Sequence, residues 1–481
     1  MADFVVAVDQ GTSSTKALLV DRSGAVVASG SAPVGIAYPS PGWVEQDAQD
    51  ILRGVRLAAA AALRDVDPAR VVAVGLSTQR ESALVWDRVS GEPLGPVLGW
   101  QDQRSRDICI RLRGSEKEIA SLSGLPLDPM FSAAKLRWLL DAAPSASAVG
   151  TVDSWLVYAL TGAHHIERGN ASRTQLLDVR TGTWSPRLLS LFGIPASVLP
   201  EITPSSGDLG VIGPAGGVLA SLPIRAILGD SHAALFAHAS SSGGSFGGAF
   251  GGAKVTYGTG SSVMGLLSSP STGLGLTIAW DAPDVVRIGA QSKNTDVQLA
   301  AEGNIRSSGA TIGWLATLLG VSTERVAELA RGASSDGVFL VPAFGGLAAP
   351  WWDDAASGLI TGLSLGSGPA QLAAAALESI AHQVTDVLDD LPDVRQVLAD
   401  GGASANDHLI QIQADLAGVP VRRARTRNLS ALGAANLAAP WPAAAIAYDE
   451  FRPRIDQDDR SARRSAWRAA VHRALTTAVG S

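Results

Sequence analysis

The octapeptide Asp9-Gln10-Gly11-Thr12-Ser13-Ser14-Thr15-Lys16 sets a carboxylate at the end of an apolar run and follows it with glycine, hydroxyls and a lysine. Consecutive backbone N–H groups in such a turn can bind phosphate oxygens, and an ammonium adds a point charge. The carboxylate can hold magnesium, usually through the ion's waters. An ordinary Asp/Ser turn has the same composition. The Walker loop G-x-x-x-x-G-K-[ST] occurs nowhere in the chain. Gly229-Asp230-Ser231-His232 follows the apolar run 224–228. Asp230 there is a general base at a strand-to-helix junction, a helix N-cap, or both. Arg80-Glu81 after the run 71–76 can present hydroxyl-binding groups, or be a solvated pair. Asp400-Gly401-Gly402-Ala403-Ser404-Ala405-Asn406 lets a base or phosphate approach the backbone, or is simply a tight turn. Gly243-Gly244-Ser245-Phe246-Gly247 matches the hydrolase pattern G-x-S-x-G, and Ser231 adjoins His232. The former lies in a Gly/Ser stretch rather than on a strand–turn–helix, which argues against a hydrolase.

The elements that must carry these residues follow from the pattern. Residues 4–8 and 17–20 are apolar runs separated by the Asp9–Ser13 turn, and Asp21-Arg22-Ser23-Gly24 turns the chain into a third strand at 25–28. Ile51, Val55, Ala58 and Ala62 fall on one face of a helix expected over 47–64. A buried strand over 71–76 follows, and helices are expected over 370–388 and 460–476. Three strands in series, then alternation of helix and strand, predict a mixed sheet flanked by helices. Residues 239–248 read as a flexible linker. Beyond it, Gly258-Thr259-Gly260-Ser261-Ser262 echoes the opening hairpin. Either the halves are duplicated domains facing one another across a cleft, or two unrelated hairpins share turn residues.

Composition narrows the class. With 481 residues, 46% apolar and 17% charged, two to three globular, soluble domains are expected. The net charge of −7 argues against nucleic acid as a partner. A single cysteine, Cys109, excludes an intrachain disulfide framework and suits a cytoplasmic setting. No apolar run spans a bilayer, and the first residues lack a basic n-region, so neither a membrane segment nor a signal peptide is expected. Glycine, at 52 residues, implies many tight turns and close backbone approaches.

Taken in order, these motifs resemble the FGGY carbohydrate kinases, most closely the glycerol kinases, from Val5 to about Ala438. Further landmarks are Tyr38-Pro39-Ser40-Pro41-Gly42-Trp43, Gln79-Arg80-Glu81, Trp100-Gln101, and Asp128-Pro129-Met130-Phe131-Ser132 with Lys135. Asn170-Ala171-Ser172-Arg173-Thr174, Tyr257-Gly258-Thr259-Gly260 and the stretch from Gly358 to Glu378 continue the series. The resemblance implies an α/β chain of two ribonuclease-H-like, actin-like ATPase domains with a central cleft. The halves divide as 1–239, carrying the substrate wall, first phosphate loop and catalytic aspartate, and 240–481, carrying the nucleotide site.

The resemblance implies an ATP- and Mg2+-dependent kinase that phosphorylates a primary hydroxyl of a small polyol or ketose. Asp230 matches the catalytic base, and Asp9 with Asp230 the metal side. Thr12, Ser13, Ser14 and Lys16 match the phosphate loop, many relatives having arginine at Lys16; Thr259, Gly309, Gly402 and Asn406 match nucleotide contacts. Gly313 stands where glycerol kinases carry glutamine. Arg80, Glu81 and Trp100 match the polyol wall. Three wall positions depart from glycerol kinases: Met130 replaces a tyrosine, Ser231 a glutamine and Ser262 a phenylalanine. A four- or five-carbon acceptor is therefore expected over glycerol. A glycerol kinase with a looser pocket and a non-catalytic sugar sensor are the alternatives; retention of Asp9 and Asp230 speaks against the sensor. The stretch Gly213-Pro214-Ala215-Gly216-Gly217-Val218-Leu219-Ala220 lacks the arginine of the fructose 1,6-bisphosphate loop, so no inhibition by that effector is expected. Assembly is left open, a homo-oligomer being compatible.

Overall fold

Residues 4–8 are apolar on successive positions, which suits a strand covered on both faces. In the computed structural model Phe4–Gln10 (β1) is that strand, with Val5 to Val8 buried. The structure describes residues 3–241, 251–267, 273–281, 297–439, 441–443 and 445–476. The G-x-S-x-G match and residues 242–248 of the expected linker lie outside them. The chain forms two units: Met1–Ala249 with Gly275–Ala300 and Asn428–Ala445, and Phe250–Leu274 with Ala301–Arg427 and Ile446–Ser481.

In the first unit β1 pairs antiparallel with Ser14–Asp21 (β2), which pairs antiparallel with Val26–Pro33 (β3). The helix Ala48–Ala62 (α1) follows, capped by Asp47, whose carboxylate accepts from the amides of Gln49 and Asp50. The expected face, Ile51, Val55, Ala58 and Ala62, is fully buried in the core beneath the sheet. Val71–Thr78 (β4) then pairs parallel with β1, and Ile224–Gly229 (β5) parallel with β4, giving the order β5-β4-β1-β2-β3. The last strand runs directly into the helix Asp230–Ser240 (α2). A helix from late in the chain, Leu429–Ala438, lies against α2 so closely that a Cβ on Gly433 would stand 1.8 Å from the Ala233 carbonyl oxygen.

The second unit repeats the plan. Gly252–Tyr257 (β6) and Ser261–Leu267 (β7) form an antiparallel hairpin, and Val297–Ile305 (β8) ends in this unit beside β7. Helices Gly309–Leu319 (α3) and Pro369–Leu388 (α4) intervene before Gln396–Asp400 (β9), which pairs parallel with β6. The helix Asp407–Ala417 (α5) leads to Val421–Ala424 (β10), parallel to β9, and Tyr448–Phe451 (β11) closes the edge antiparallel. The order β8-β7-β6-β9-β10 therefore matches β3-β2-β1-β4-β5 of the first unit strand for strand. Two units of one topology are duplicated domains, not chance hairpins. The C-terminal helix spans Gln457–Ala474, somewhat earlier than expected because Asp456 caps it. Among the described residues no helix is long and apolar enough to cross a membrane.

Candidate functional site

The site in the first unit is built where β1, β4 and β5 end together. Asp9 lies inside β1 rather than in the turn, since the ladder continues through it to Lys16 on β2 and Ser77 on β4. Ser77 Oγ donates to Asp9 Oδ1 at 2.8 Å. Burial, then the neighbouring charge of Asp230, pushes the Asp9 carboxyl up to about 6, against the Ser77 hydrogen bond and Lys16. The two carboxylates thus share one electrostatic neighbourhood.

The Gly11–Ser14 turn closes through Gly11 N–H donating to the Ser14 carbonyl at 3.0 Å. The Thr12 carbonyl accepts from Gln46 Nε2 at 2.8 Å and the Ser13 carbonyl from Val34 N at 3.0 Å. With those carbonyls anchored, the amides of Thr12 and Ser13 make no hydrogen bond among the described residues. Lys16 Nζ donates to Asn428 Oδ1 at 2.9 Å, so this lysine is tied to the head of the Leu429–Ala438 helix.

Asp230 is the first residue of α2, with Gly229 at the N-cap, so the capping role expected for it belongs to its neighbour. Its Oδ1 accepts from Ser231 N at 2.6 Å and from Arg80 Nε at 3.3 Å. Arg80 and Glu81 are both buried, not a solvated pair. Arg80 lies flat on Gly229: a Cβ there would come within 2.4 Å of Arg80 Cδ and 3.0 Å of Asn170 Oδ1. Asn170 is buried with neither end of its amide hydrogen-bonded. Glu81 takes a left-handed backbone, φ 60°, and receives Arg173 Nε on Oε1 at 2.7 Å.

Trp100 is joined to the phosphate-type turn and to the wall at once. Its indole N–H donates to Thr12 Oγ1 at 3.2 Å and its backbone N–H to Ser82 Oγ at 3.1 Å. Ser82 Oγ donates to Gln79 Oε1, and Gln79 Nε2 in turn reaches Gln10 Oε1 and Gln46 Oε1. This buried amide network locks the Gly11–Ser14 turn to Trp100. Met130 is half-buried, its amide on Asp128 Oδ1 and its carbonyl held by the fully buried Lys135. Burial pushes the Lys135 ammonium down to about 8, while Glu81, Asp102 and Asp128 oppose the shift. Ser231 is half-buried, and its hydroxyl has no partner among the described residues.

So the first unit gathers Asp9, Thr12 to Ser14, Lys16, Arg80, Glu81, Trp100, Met130, Asp230 and Ser231. Ser77, Gln79, Lys135 and Arg173, which hold them, carry no signal in residue spacing; Arg173 sits 92 positions from Glu81. Gln79, Lys135 and Arg173 stand among the family landmarks with no role attached, and Ser77 in none.

In the second unit Thr259 and Gly309 meet. Ser308 N and Ala310 N donate to the Thr259 carbonyl at 3.0 Å each, and Gly309 N to the Gly258 carbonyl at 2.9 Å. A Cβ on Gly309 would stand 2.7 Å from that Gly258 oxygen, so the α3 N-terminus docks on the hairpin turn only with glycine there. A cavity of about 730 Å³ opens beside it, lined by Gly309, Ile312, Leu377, Ile380, Gly402 and Asn406 among others. Gly401 has φ 90° and packs on the Tyr257 carbonyl, whereas a Cβ on Gly402 would meet nothing within 4 Å and would enter open space at this wall. Asn406 both lines the cavity and caps α5 by accepting from His408 N and Leu409 N. Gly313 lies one turn along α3, where a Cβ meets nothing within 4 Å, and is not a lining residue of the cavity. Ser262, on β7, donates to Glu302 Oε1 at 2.8 Å within this unit.

Among the described residues no group of three or more His, Cys, Asp or Glu could hold a metal ion. A pair does exist. Asp9 and Asp230 repel one another, and a dication that keeps most of its waters is the group such a pair accommodates.

Known proteins resemble this chain over most of its length. The profile of the FGGY family of carbohydrate kinases, N-terminal domain, matches residues 4–237, and that of the C-terminal domain matches 253–440. Apulose kinase of Pectobacterium atrosepticum is 42% identical over 90% of this chain and 88% of its own. A glycerol kinase of Alkalilimnicola ehrlichii is 39% identical over 98% of both. The crystal structure of Plasmodium falciparum glycerol kinase with ADP superposes with a TM-score of 0.85 at 26% identity, covering 98% of each chain. On the strength of both domain profiles and these relatives, the chain belongs to the FGGY family of carbohydrate kinases.

Proposed function

We propose that this kinase moves the γ-phosphoryl group of ATP to a primary hydroxyl of a four- or five-carbon ketose or polyol, in preference to glycerol. The observation that carries the reading is the half-exposed Asp230 carboxylate, fixed by buried Arg80 and neighboured by Asp9. Asp230 takes the proton of the acceptor hydroxyl; the oxygen forms a bond to the γ-phosphorus as its bond to the ADP oxygen breaks. Such transfer needs positioning and charge neutralisation more than covalent help. Asp9 and Asp230 are the residues that would hold Mg2+, which supplies neutralisation of the phosphate charge when bound. The free amides of Thr12 and Ser13 suit phosphate oxygens, and the cavity at Gly402 and Asn406 suits the rest of the nucleotide. On this reading residues 1–239 handle the acceptor and 240–481 the nucleotide. The reading places the enzyme in the cytoplasm, where ATP is available; the buried Cys109, which forms no disulfide, is compatible with that.

The acceptor preference rests on Met130 and Ser231. A thioether stands where glycerol kinases hydrogen-bond the substrate, and the unpartnered Ser231 hydroxyl offers both space and a bond to a longer chain. Losing one hydrogen bond to a buried hydroxyl costs about 0.5–1.5 kcal/mol. An ADP-release assay with glycerol, erythritol, xylitol, ribulose, xylulose and apulose tests the preference. Glycerol at least tenfold ahead in kcat/KM would overturn it in favour of a glycerol kinase with a loose pocket. Asp230→Asn should lower turnover by about 10²–10⁴-fold with ATP binding kept; wild-type turnover would remove Asp230 as the base.

A further inference from the structure

Glu81 carries more constraint than a hydroxyl-binding carboxylate requires. Its backbone is left-handed without being glycine, a conformation that persists only where surroundings enforce it. Ser132 Oγ donates to its carbonyl at 3.0 Å. Its side chain is 7% exposed, and its Oε1 accepts from Arg173 Nε at 2.7 Å. Arg173 is itself 1% exposed, with its guanidinium 5.1 Å from the centre of the Phe131 ring. The ammonium of Lys135 acts on Glu81 as well, while its hydrogen bonds go to the Pro129 and Met130 carbonyls. One buried cation therefore sits on this carboxylate, and a second acts on it through its charge alone. One oxygen is taken, and Oε2 makes no hydrogen bond among the described residues.

We propose that Arg173 is a positioning residue that holds Glu81 by Oε1, so that Oε2 is the oxygen presented to a hydroxyl of the substrate. The inference rests on the reading of Glu81 as part of the acceptor wall. An acceptor whose hydroxyl at that carbon is removed or methylated leaves the buried Oε2 without a donor and is rejected. Arg173 is the residue that enforces this, because its Nε fixes which oxygen remains for the substrate. Arg→Lys is not conservative at such a place, since the ammonium lacks the planar fork.

The experiment compares Arg173→Lys, Arg173→Met, Glu81→Gln and the Glu81→Gln/Arg173→Met double variant in the full chain. KM and kcat are measured for the best acceptor of the panel and for ATP, with thermal midpoints alongside. Arg173→Met should raise acceptor KM at least tenfold and Arg173→Lys three- to tenfold, with ATP KM within twofold. In the Glu81→Gln background, Arg173→Met should add less than threefold, because its route of action is gone. Unchanged acceptor KM in Arg173→Lys overturns the inference even if Arg173→Met fails to fold. So do effects that multiply in the double variant, which mark Arg173 as a general support of the fold. If Glu81→Gln itself leaves acceptor KM unchanged, the wall assignment falls and takes this inference with it. If Glu81→Gln raises KM while the Arg173 variants do not, only the inference falls.

Discussion

Gly229→Ala isolates the geometry of the site from its chemistry. Gly229 has φ −67° and ψ 149°, a backbone that alanine adopts without penalty, so any effect arises from the added methyl. That methyl would stand 2.4 Å from Arg80 Cδ and 2.6 Å from Cγ. Carbons rest at about 3.5–4.0 Å, so the Arg80 stem must retreat by roughly 1 Å. It has little room, since its side chain is 5% exposed. The contact from Nε to Asp230 Oδ1 is already 3.3 Å, and a further ångström takes it out of hydrogen-bonding range. Overpacking of this size costs about 1–3 kcal/mol of stability. A displacement of 1 Å in a positioning group can cost about 10²-fold in rate. We expect acceptor kcat/KM to fall by about two orders of magnitude, with a Tm loss of a few degrees and ATP KM unchanged. A steady-state ADP-release assay with thermal melts reads all three. Acceptor kcat/KM within threefold of wild type would refute the claim that Arg80 must lie flat on Gly229 to hold Asp230.

Two more outcomes follow from the second unit and from Lys135. Gly402→Val places two methyls in open space at the cavity wall and should raise ATP KM at least about tenfold with acceptor KM unchanged; equal effects on both substrates would show that the cavity is not the nucleotide's. For Lys135, whose folded pKa of about 8 lies below the unfolded 10.5, the unfolded chain keeps a proton that the folded chain has shed between those values. Stability attributable to this amine therefore rises with pH across that window, by at most about 1.4 kcal/mol per pH unit. The stability difference between wild type and Lys135→Met, from denaturant unfolding, should move by about 2 kcal/mol in favour of wild type from pH 8 to 10; a flat difference would refute it.

The parts of the fold legible in the sequence are those that local pattern dictates. The run 4–8 announced a strand, the Ile51, Val55, Ala58, Ala62 face announced α1, and the echo of Gly11-Thr12-Ser13 in Gly258-Thr259-Gly260 announced the duplicated sheet order. Asp230 could be placed at a strand-to-helix junction, although not that Gly229 would cap the helix in its stead. What stayed hidden is what depends on distant partners. Arg80-Glu81 reads like any exposed charged pair until β5 and the Asn170–Arg173 segment are laid over it. The amide network of Gln10, Gln46 and Gln79 carries no local signal, because the side chains that Gln79 joins lie 69 and 33 positions away along the chain. Asp9 looked like a turn residue because aspartate disfavours strands; pairing with Lys16 and Ser77 overrode that preference.

The unequal exposure of Arg80 and Asp230, 5% against 38%, shows how the pair can be stable and still reactive. Two exposed partners would hold one another for about 0–1 kcal/mol and would drift. Two buried ones would suffer desolvation and would leave the carboxylate unreachable. Here the stem of Arg80 is buried against Gly229, so the carboxylate gains a rigid neighbour without entering the interior itself. Its Oδ1 is taken by that neighbour and by the Ser231 amide. On the proposed reading, a base so placed would accept a proton without reorganising the protein around it, which is the physical content of preorganisation. The same logic recurs at Glu81, whose Oε1 is likewise bound by a buried arginine. At both positions a buried arginine fixes one carboxylate oxygen, so on the proposed reading the acceptor would meet carboxylates whose orientation is already set.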